Sequence, residues 1–565
     1  MVMDVQSRVM LPEALLALSG ALRSVGLRLE IPGAGEARRV RDELVAQIDD
    51  YLLPRLRSMD APLLMVVGGS TGAGKSTLVN SLVGSPVSPA GVLRPTTRAP
   101  VLVCHPDDLR WFEDDRVLPG MSRTTGRPAG PGGLELTPTP ALPPGLALLD
   151  SPDIDSVVEA NRALSRQLLA AADAWLFVTT AARYADAVPW ELLHAARDRG
   201  TALSLVLDRV PPDSAGEVAE HLREMVEERG LGGTQLLVVP ETALEEGRLP
   251  AAALGPVRGW LDELAADAQG RAGVVGRTLT GALDSLPQRV ARVDRALAEQ
   301  AATAGELRSA VDGAYAAALD EIDEAVHSGA LLRGEVLARW HEVVGTGDLM
   351  RGLESRLGWV RDRVRSLLTG APAPEAGLQR AVRSSVDAVV YAAADGAAER
   401  AAAAWRDRPA GRDLIERGTR LDAASSELPD RTRDEVRAWQ GDVFDLVSRE
   451  AAGKRTTARV ASLGVNGAGL VVMLAVFAQT GGLTGAEALV AGGTSAAGQR
   501  ILEALLGDQA VRTLAEKART SLLERTRALL EAESARFDAL LEPAAPDADA
   551  GDRLRAAMRM IESAR

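Results

Sequence analysis

Apolar residues follow two different spacings along this chain. Between about residues 61 and 255 they gather into short unbroken runs with helical stretches between them. Such runs, rich in Leu, Val and Ala, predict strands of a mostly parallel sheet buried on both faces. They fall at residues 63–67, 101–104, 146–149, 174–178, 202–207 and 235–239. Strands alternating with helices make a three-layer α/β domain. Residues 119–144 are dense in Gly and Pro and read as one long exposed loop.

On both sides of this domain the spacing is helical. Residues 11–29 and 37–56 each predict a helix, with Val40, Leu44, Ile48 and Leu52 at steps of four and Pro32-Gly33-Ala34-Gly35 as the break between them. After Gly255 the strand signal stops. Leu307, Val311, Tyr315, Leu319, Ile322 and Val326 line one face, and Val436, Trp439, Val443 and Leu446 do the same later. Charges fill the other positions, so these are amphipathic helices of a long stalk or bundle. Breaks fall near Gly345-Thr346-Gly347, residues 369–374 and Arg408-Pro409-Ala410-Gly411, and no repeat of fixed period is present. The last long helix ends at Glu542-Pro543-Ala544-Ala545-Pro546, and a short one follows to Ile561.

One stretch departs from the amphipathic pattern. Residues 460–478 carry no charge, and a turn at Thr480-Gly481-Gly482-Leu483-Thr484-Gly485 leads into a second, mostly apolar arm at 486–497. Lys454, Arg455 and Arg459 precede the first arm and Arg500 follows the second. A helix that crosses a bilayer core needs about 20 residues, and the second arm is shorter and glycine-rich. The expectation is therefore a hairpin that dips into one leaflet, with Gly464 and Ala468 letting its arms approach. The alternative is a hairpin buried inside the bundle. The expected plan is N-terminal helices at 1–60 packing with the stalk, the α/β domain at 61–255 and the stalk at 256–455. The hydrophobic hairpin at 456–500 and returning helices at 501–565 complete it.

Composition narrows the function. With 565 residues the chain exceeds one core. A net charge of -14 argues against a nucleic-acid partner, since phosphate contacts need basic surface. Scarce aromatics offer no base-stacking platform. The single cysteine, Cys104, excludes an internal disulfide, suits a reducing cytosol and lies in an apolar run that makes it a buried strand residue. Five scattered histidines form no metal-ligand cluster. The first ten residues carry charges and lack a continuous apolar core, so no signal peptide is expected, and the expected location is cytoplasmic.

Candidate chemistry centres on Val66-Val67-Gly68-Gly69-Ser70-Thr71-Gly72-Ala73-Gly74-Lys75-Ser76-Thr77. A predicted strand precedes it and a predicted helix follows, the context in which a glycine-rich loop turns its backbone N–H groups onto phosphate oxygens. Residues Gly69, Ser70, Thr71, Gly72, Ala73, Gly74, Lys75, Ser76 and Thr77 are the expected nucleotide contacts. Lys75 reaches the terminal phosphates, and the Ser76 hydroxyl ligates Mg2+. Asp150 ends the run Leu146-Ala147-Leu148-Leu149 and is the expected Mg2+ partner through water. Thr97, in Arg94-Pro95-Thr96-Thr97-Arg98-Ala99-Pro100, is placed to close over Mg2+ and the γ-phosphate. No L-S-G-G-Q signature occurs, which weighs against an ABC ATPase.

Residues 66–77, then Thr97-Arg98-Ala99-Pro100, then Asp150-Ser151-Pro152 resemble the dynamin superfamily, specifically its bacterial dynamin-like members. The motifs cover roughly residues 63–245, and the rest is similar in architecture only. The resemblance implies a large GTPase that binds and hydrolyses GTP with Mg2+ and pairs through its heads, as a homodimer or with a paralogue. It further implies membrane lipid binding or remodelling through residues 460–497, at the inner face of the cell membrane. Under it, Lys75, Gly72 and Thr97 take the catalytic positions, and Ser76, Thr97 and Asp150 hold the metal.

The chain departs from that pattern at three points. Asp153 replaces the glycine of D-x-x-G, keeping its N–H but setting a carboxylate close to the γ-phosphate, where repulsion slows or alters closure. Gly72 stands where eukaryotic members carry a serine that positions the attacking water. Asp208-Arg209-Val210-Pro211 occupies the place of the guanine motif. Arg209 offers a guanidinium to stack on a purine, and Asp208 would have to read guanine from another register. Arg98 and Arg183 are either arginine fingers or charges that hold loops. Two other readings stay open: a nucleotide-binding scaffold with little hydrolysis that partners an active paralogue, and a P-loop ATPase.

Overall fold

The computed structural model describes residues 5–89, 99–126, 133–154, 159–327, 374–417, 420–452 and 508–565. Thr97, Arg98 and the hairpin expected at 460–497 with its basic flanks lie outside the described residues. Two compact units emerge from the chain's contacts. The first is Met1–Leu27, Pro32–Glu299 and Pro546–Arg565; the second is Arg28–Ile31 and Gln300–Ala545.

The first unit is built on an eight-stranded sheet in the order β3-β4-β2-β5-β1-β6-β7-β8. Its strands are β1 Leu63–Gly69, β2 Val101–Cys104, β3 Ser122–Thr125, β4 Gly133–Pro138, β5 Leu146–Asp150, β6 Ala174–Thr180, β7 Ala202–Val210 and β8 Gln235–Pro240. All six expected strands form, several running one to three residues further than the apolar signal. Every pairing is parallel except β2 with β5, where Leu102 faces Leu149.

β3 and β4 correct the expected loop at 119–144. Leu134 and Leu136 are buried on one side of β4, but an alternation of two leucines between glycines and prolines is too short to stand out. β3, Ser-Arg-Thr-Thr, is a polar edge strand and gives no apolar signal at all.

Helices cover both faces of the sheet, as a three-layer domain requires. Leu63, Met65 and Val67 of β1 pack with α4 (Lys75–Val83) and α8 (Ala251–Ala266). Leu64 and Val66 face the other way, onto α5 (Glu159–Ala170), α6 (Ala187–Asp198) and α7 (Ala215–Glu228).

The first unit extends beyond the expected limits of 61 and 255. It takes in α1 (Val5–Ser24), α2 (Ala34–Gln47), a π-helical turn at Ile48–Leu52 and α3 (Leu53–Arg57). Leu11, Leu15, Leu18 and Leu22 of α1 bury against Val40, Leu44 and Ile48. They also meet the early part of α9 (Ala268–His327) and Leu554, Met558 and Ile561 near the C-terminus. An amphipathic face must be covered by another, and here the two chain ends cover each other.

The described elements of the second unit are helices: the later part of α9, then α10 (Pro374–Arg406), α11 (Pro409–Arg417), α12 (Leu428–Ala452) and α13 (Asp508–Leu541). The predicted face of α9 is in its core, with Leu307, Val311, Tyr315, Ile322 and Val326 buried and Leu319 packed at the margin. Trp405 donates its indole N–H to the Leu307 carbonyl at 3.0 Å, and Trp439 donates to Ala518 at 2.8 Å. Those two bonds give each indole the partner that a buried N–H requires. Arg519 forks onto Asp323 at 2.6 and 2.7 Å, tying α13 to α9. Among the described residues no helix is long and apolar enough to cross a membrane. A last helix in the chain, α14 (Ala550–Ala564), carries the residues that return to the first unit.

Candidate nucleotide site

The site lies where the central strands end. Register pairs Val67 with Asp150, Gly69 with Val178 and Thr180 with Asp208, so the ends of β5, β1, β6 and β7 share one edge of the sheet. Ligand crevices of α/β sheets form outside such edges. β1 leaves the sheet at Gly69, whose φ is 152°, and an added Cβ would fall 2.2 Å from the Val178 carbonyl oxygen. Only glycine fits there. Gly74, at φ 99°, then turns the chain into α4, which begins at Lys75, so a helix N-terminus closes the loop.

Two arginines brace the loop through its carbonyls. Arg183 donates to Thr71 at 2.8 Å while pairing with Asp186, and Arg209 donates to Gly72. Asp208 is buried beneath Gly74, where a Cβ would come 2.5 Å from its Oδ2. Burial pushes its carboxyl above the usual range, against hydrogen bonding and charge from Arg209. The structure therefore gathers Gly69–Ser76, Asp208, Arg209 and Arg183 in one place. Arg209 itself sits at φ 52°, a left-handed conformation, at the end of β7.

Lys75 is 5% exposed and donates to the carbonyls of Gly69 at 2.8 Å and Ser70 at 3.0 Å. Its third contact is the carboxylate of Asp153, at 2.5 Å. Asp153 thus lies on the lysine, 78 positions away along the chain.

Asp150 is wholly buried, and its Oδ2 accepts from Ser76 at 2.6 Å and from Ser88 at 2.5 Å. Burial raises its carboxyl pKa, and the two serine hydroxyls and Lys75 pull the other way. Among the described residues its Oδ1 has no hydrogen-bond partner. A buried, unpaired carboxylate oxygen beside a serine hydroxyl is a hard-oxygen donor set, which fits Mg2+. No group of three His, Cys, Asp or Glu is assembled among the described residues. Thr97, the other expected metal contact, lies outside the described residues.

Ser88 and Asn80 escaped the sequence reading. Asn80, on α4, donates its amide to the Ser88 carbonyl and accepts from the Ser88 N–H, both at 2.8 Å. This clamp aims the Ser88 hydroxyl at Asp150. No spacing rule links the two residues, so no sequence signal points to them. Cys104 is buried in β2, its thiol pushed up to about 12 by burial, as expected of a strand residue rather than a nucleophile.

Residues 65–125 match the model of the Dynamin family. No curated protein matches the chain. Among solved structures it is similar to a variant of Aquifex aeolicus Era bound to GDP.AlF4-, at 17% identity and a TM-score of 0.24, with 36% of this chain and 56% of that one covered. Era in complex with MgGDPNP and nucleotides 1506–1542 of 16S ribosomal RNA gives the same figures. The chain thus spans little more than half the length of those proteins. An oligomerised bacterial dynamin pair, described as a mechanism for long-range sensing and tethering of membranes, is similar at 11% identity and a TM-score of 0.32. There 93% of this chain and 95% of that one are covered. The glycine-rich loop and the buried lysine thus fall inside the segment, residues 65–125, that is similar to the Dynamin family.

Proposed function

We propose that this chain is a GTPase that binds GTP with Mg2+ on residues 69–77 and hydrolyses it, and that the cycle controls pairing of its heads. The observation that carries the reading is the Ser76–Asp150 contact at 2.6 Å beside the buried Lys75, at the start of α4. Bound Mg2+ would neutralise phosphate charge; Ser76 would hold it directly and Asp150 through water, with Thr97 closing over it. Lys75 would orient the terminal phosphates, and the loop N–H groups would cradle the others. Phosphoryl transfer needs mainly such positioning and charge neutralisation. Arg183 and Arg209 keep the cradle in shape through Thr71 and Gly72.

Guanine preference and action on membranes follow from the resemblance, with residues 460–497 as the lipid-binding segment at the inner face of the cell membrane. A second reading, a scaffold with weak hydrolysis beside an active paralogue, is favoured by the Asp153 carboxylate on Lys75.

Labelled GTP competed with unlabelled ATP, followed by turnover at several protein concentrations, tests the proposal. Tighter GTP binding, specific activity that rises with concentration and loss of both in Lys75→Ala support it. Equal competition by ATP removes the guanine preference, and binding without turnover selects the scaffold. Flotation with liposomes, with and without non-hydrolysable GTP, tests the lipid contact; no binding in either condition rejects it.

A further inference from the structure

An ammonium group has three N–H donors. Those of Lys75 are taken by the Gly69 carbonyl, the Ser70 carbonyl and the Asp153 carboxylate. Lys75 is only 5% exposed, so water offers its ammonium little alternative to these partners. A phosphate oxygen that reaches this ammonium must take the place of one of these three, and Asp153 is the one charged side chain among them, so it is the partner that competes with phosphate charge for charge. The backbone N–H groups that would cradle an inner phosphate are independent of that exchange.

The surrounding charges sharpen the effect. Asp150 is buried three residues before Asp153 and feels the charges of both Lys75 and Asp153, so two carboxylates already lie near one lysine. A γ-phosphate would add a further anion beside these two carboxylates, a load that a diphosphate, which brings only its β-phosphate to Lys75, does not impose. The segment that carries Asp153 is tethered: the Ser151 N–H and hydroxyl both donate to Val67, and Ser165 of α5 donates to Pro152 at 2.8 Å. Displacing Asp153 therefore pulls on a segment fixed to β1 on one side and to α5 on the other.

We infer that Asp153 is a specificity-determining residue that sets the preference of this site between nucleoside diphosphate and triphosphate by competing with the γ-phosphate for Lys75. The inference rests on reading residues 69–77 as the nucleotide site.

The test is equilibrium binding of fluorescent GDP and of a fluorescent non-hydrolysable GTP analogue, with Mg2+, to the full chain and to Asp153→Asn. Removing the charge while keeping the shape should tighten analogue binding by about tenfold or more and leave GDP within about twofold. Equal shifts for both nucleotides, or no shift for either, overturn the inference. GDP affinity in the same samples reports whether the site is intact. If Asp153→Asn loses GDP, Asp153→Ser repeats the comparison; loss in both variants makes Asp153 a structural support and also overturns the inference. A wild-type chain that binds neither nucleotide, with Lys75→Ala unchanged from it, rejects the nucleotide site itself.

Discussion

Replacing Asn80 with alanine should loosen the floor of the nucleotide site. Asn80 and Ser88 are 5% and 3% exposed, and the Asn80 amide satisfies both the N–H and the carbonyl of Ser88 at 2.8 Å. Alanine removes both partners at once and leaves two buried backbone groups unpaired. At about 1–3 kcal/mol for each such group, partly relieved by water that enters the gap, the expected cost is about 2–4 kcal/mol. The Ser88 hydroxyl also loses its aim at Asp150, whose other oxygen is already unpaired. Because the chain holds two compact units, a global unfolding curve would blur the effect, so the assay is amide hydrogen exchange read on peptides from β1, α4 and β5. Protection there should fall by the amount given, while peptides from α12 and α13 stay unchanged. Ser88→Ala alone leaves the backbone clamp and should cost less. The double variant should cost less than the sum of the two, since both act on one hydrogen-bond chain to Asp150. A loss below about 1 kcal/mol in Asn80→Ala, or strict additivity with Ser88→Ala, would refute the clamp.

Trp439 is fully buried in the second unit and bonded to Ala518, so Trp439→Ala should lower the exchange stability of α12 and α13 by about 3–5 kcal/mol. An effect confined to fraying at the helix ends would count against that core. Asp50, in the π-helical turn, has its carboxyl raised from 3.8 to about 6, first by burial and then by the neighbouring Asp49 charge. The folded state thus holds this proton more tightly than the unfolded chain does. Its contribution is complete below about pH 4 and is lost as pH rises through about 6. Asp50→Asn should flatten that decline, by about 1–2 kcal/mol once solvent screening is allowed for, in stability curves taken from pH 4 to 7. Parallel curves for variant and wild type would show that Asp50 plays no part.

By itself the sequence determined the features that are local. Four glycines, a lysine and a serine between an apolar run and a helix specify the phosphate loop, because the backbone conformations and donors it needs lie within ten consecutive residues. Runs such as Leu63–Gly69 and the stepped face from Leu307 to Val326 declare their burial through their own periodicity. Only the tertiary structure decided what depends on partners far along the chain. It turned β2 antiparallel to β5 and made strands of β3 and β4 in a stretch dense in glycine and proline. It joined residues 5–24 and 550–564 to the unit that holds the sheet. It also set Asp153 on Lys75, 78 positions away, and Ser88 on Asp150, 62 away. A hydrogen bond or ion pair across such a separation leaves no period in the sequence, because its geometry exists only after the sheet has brought its strand ends together.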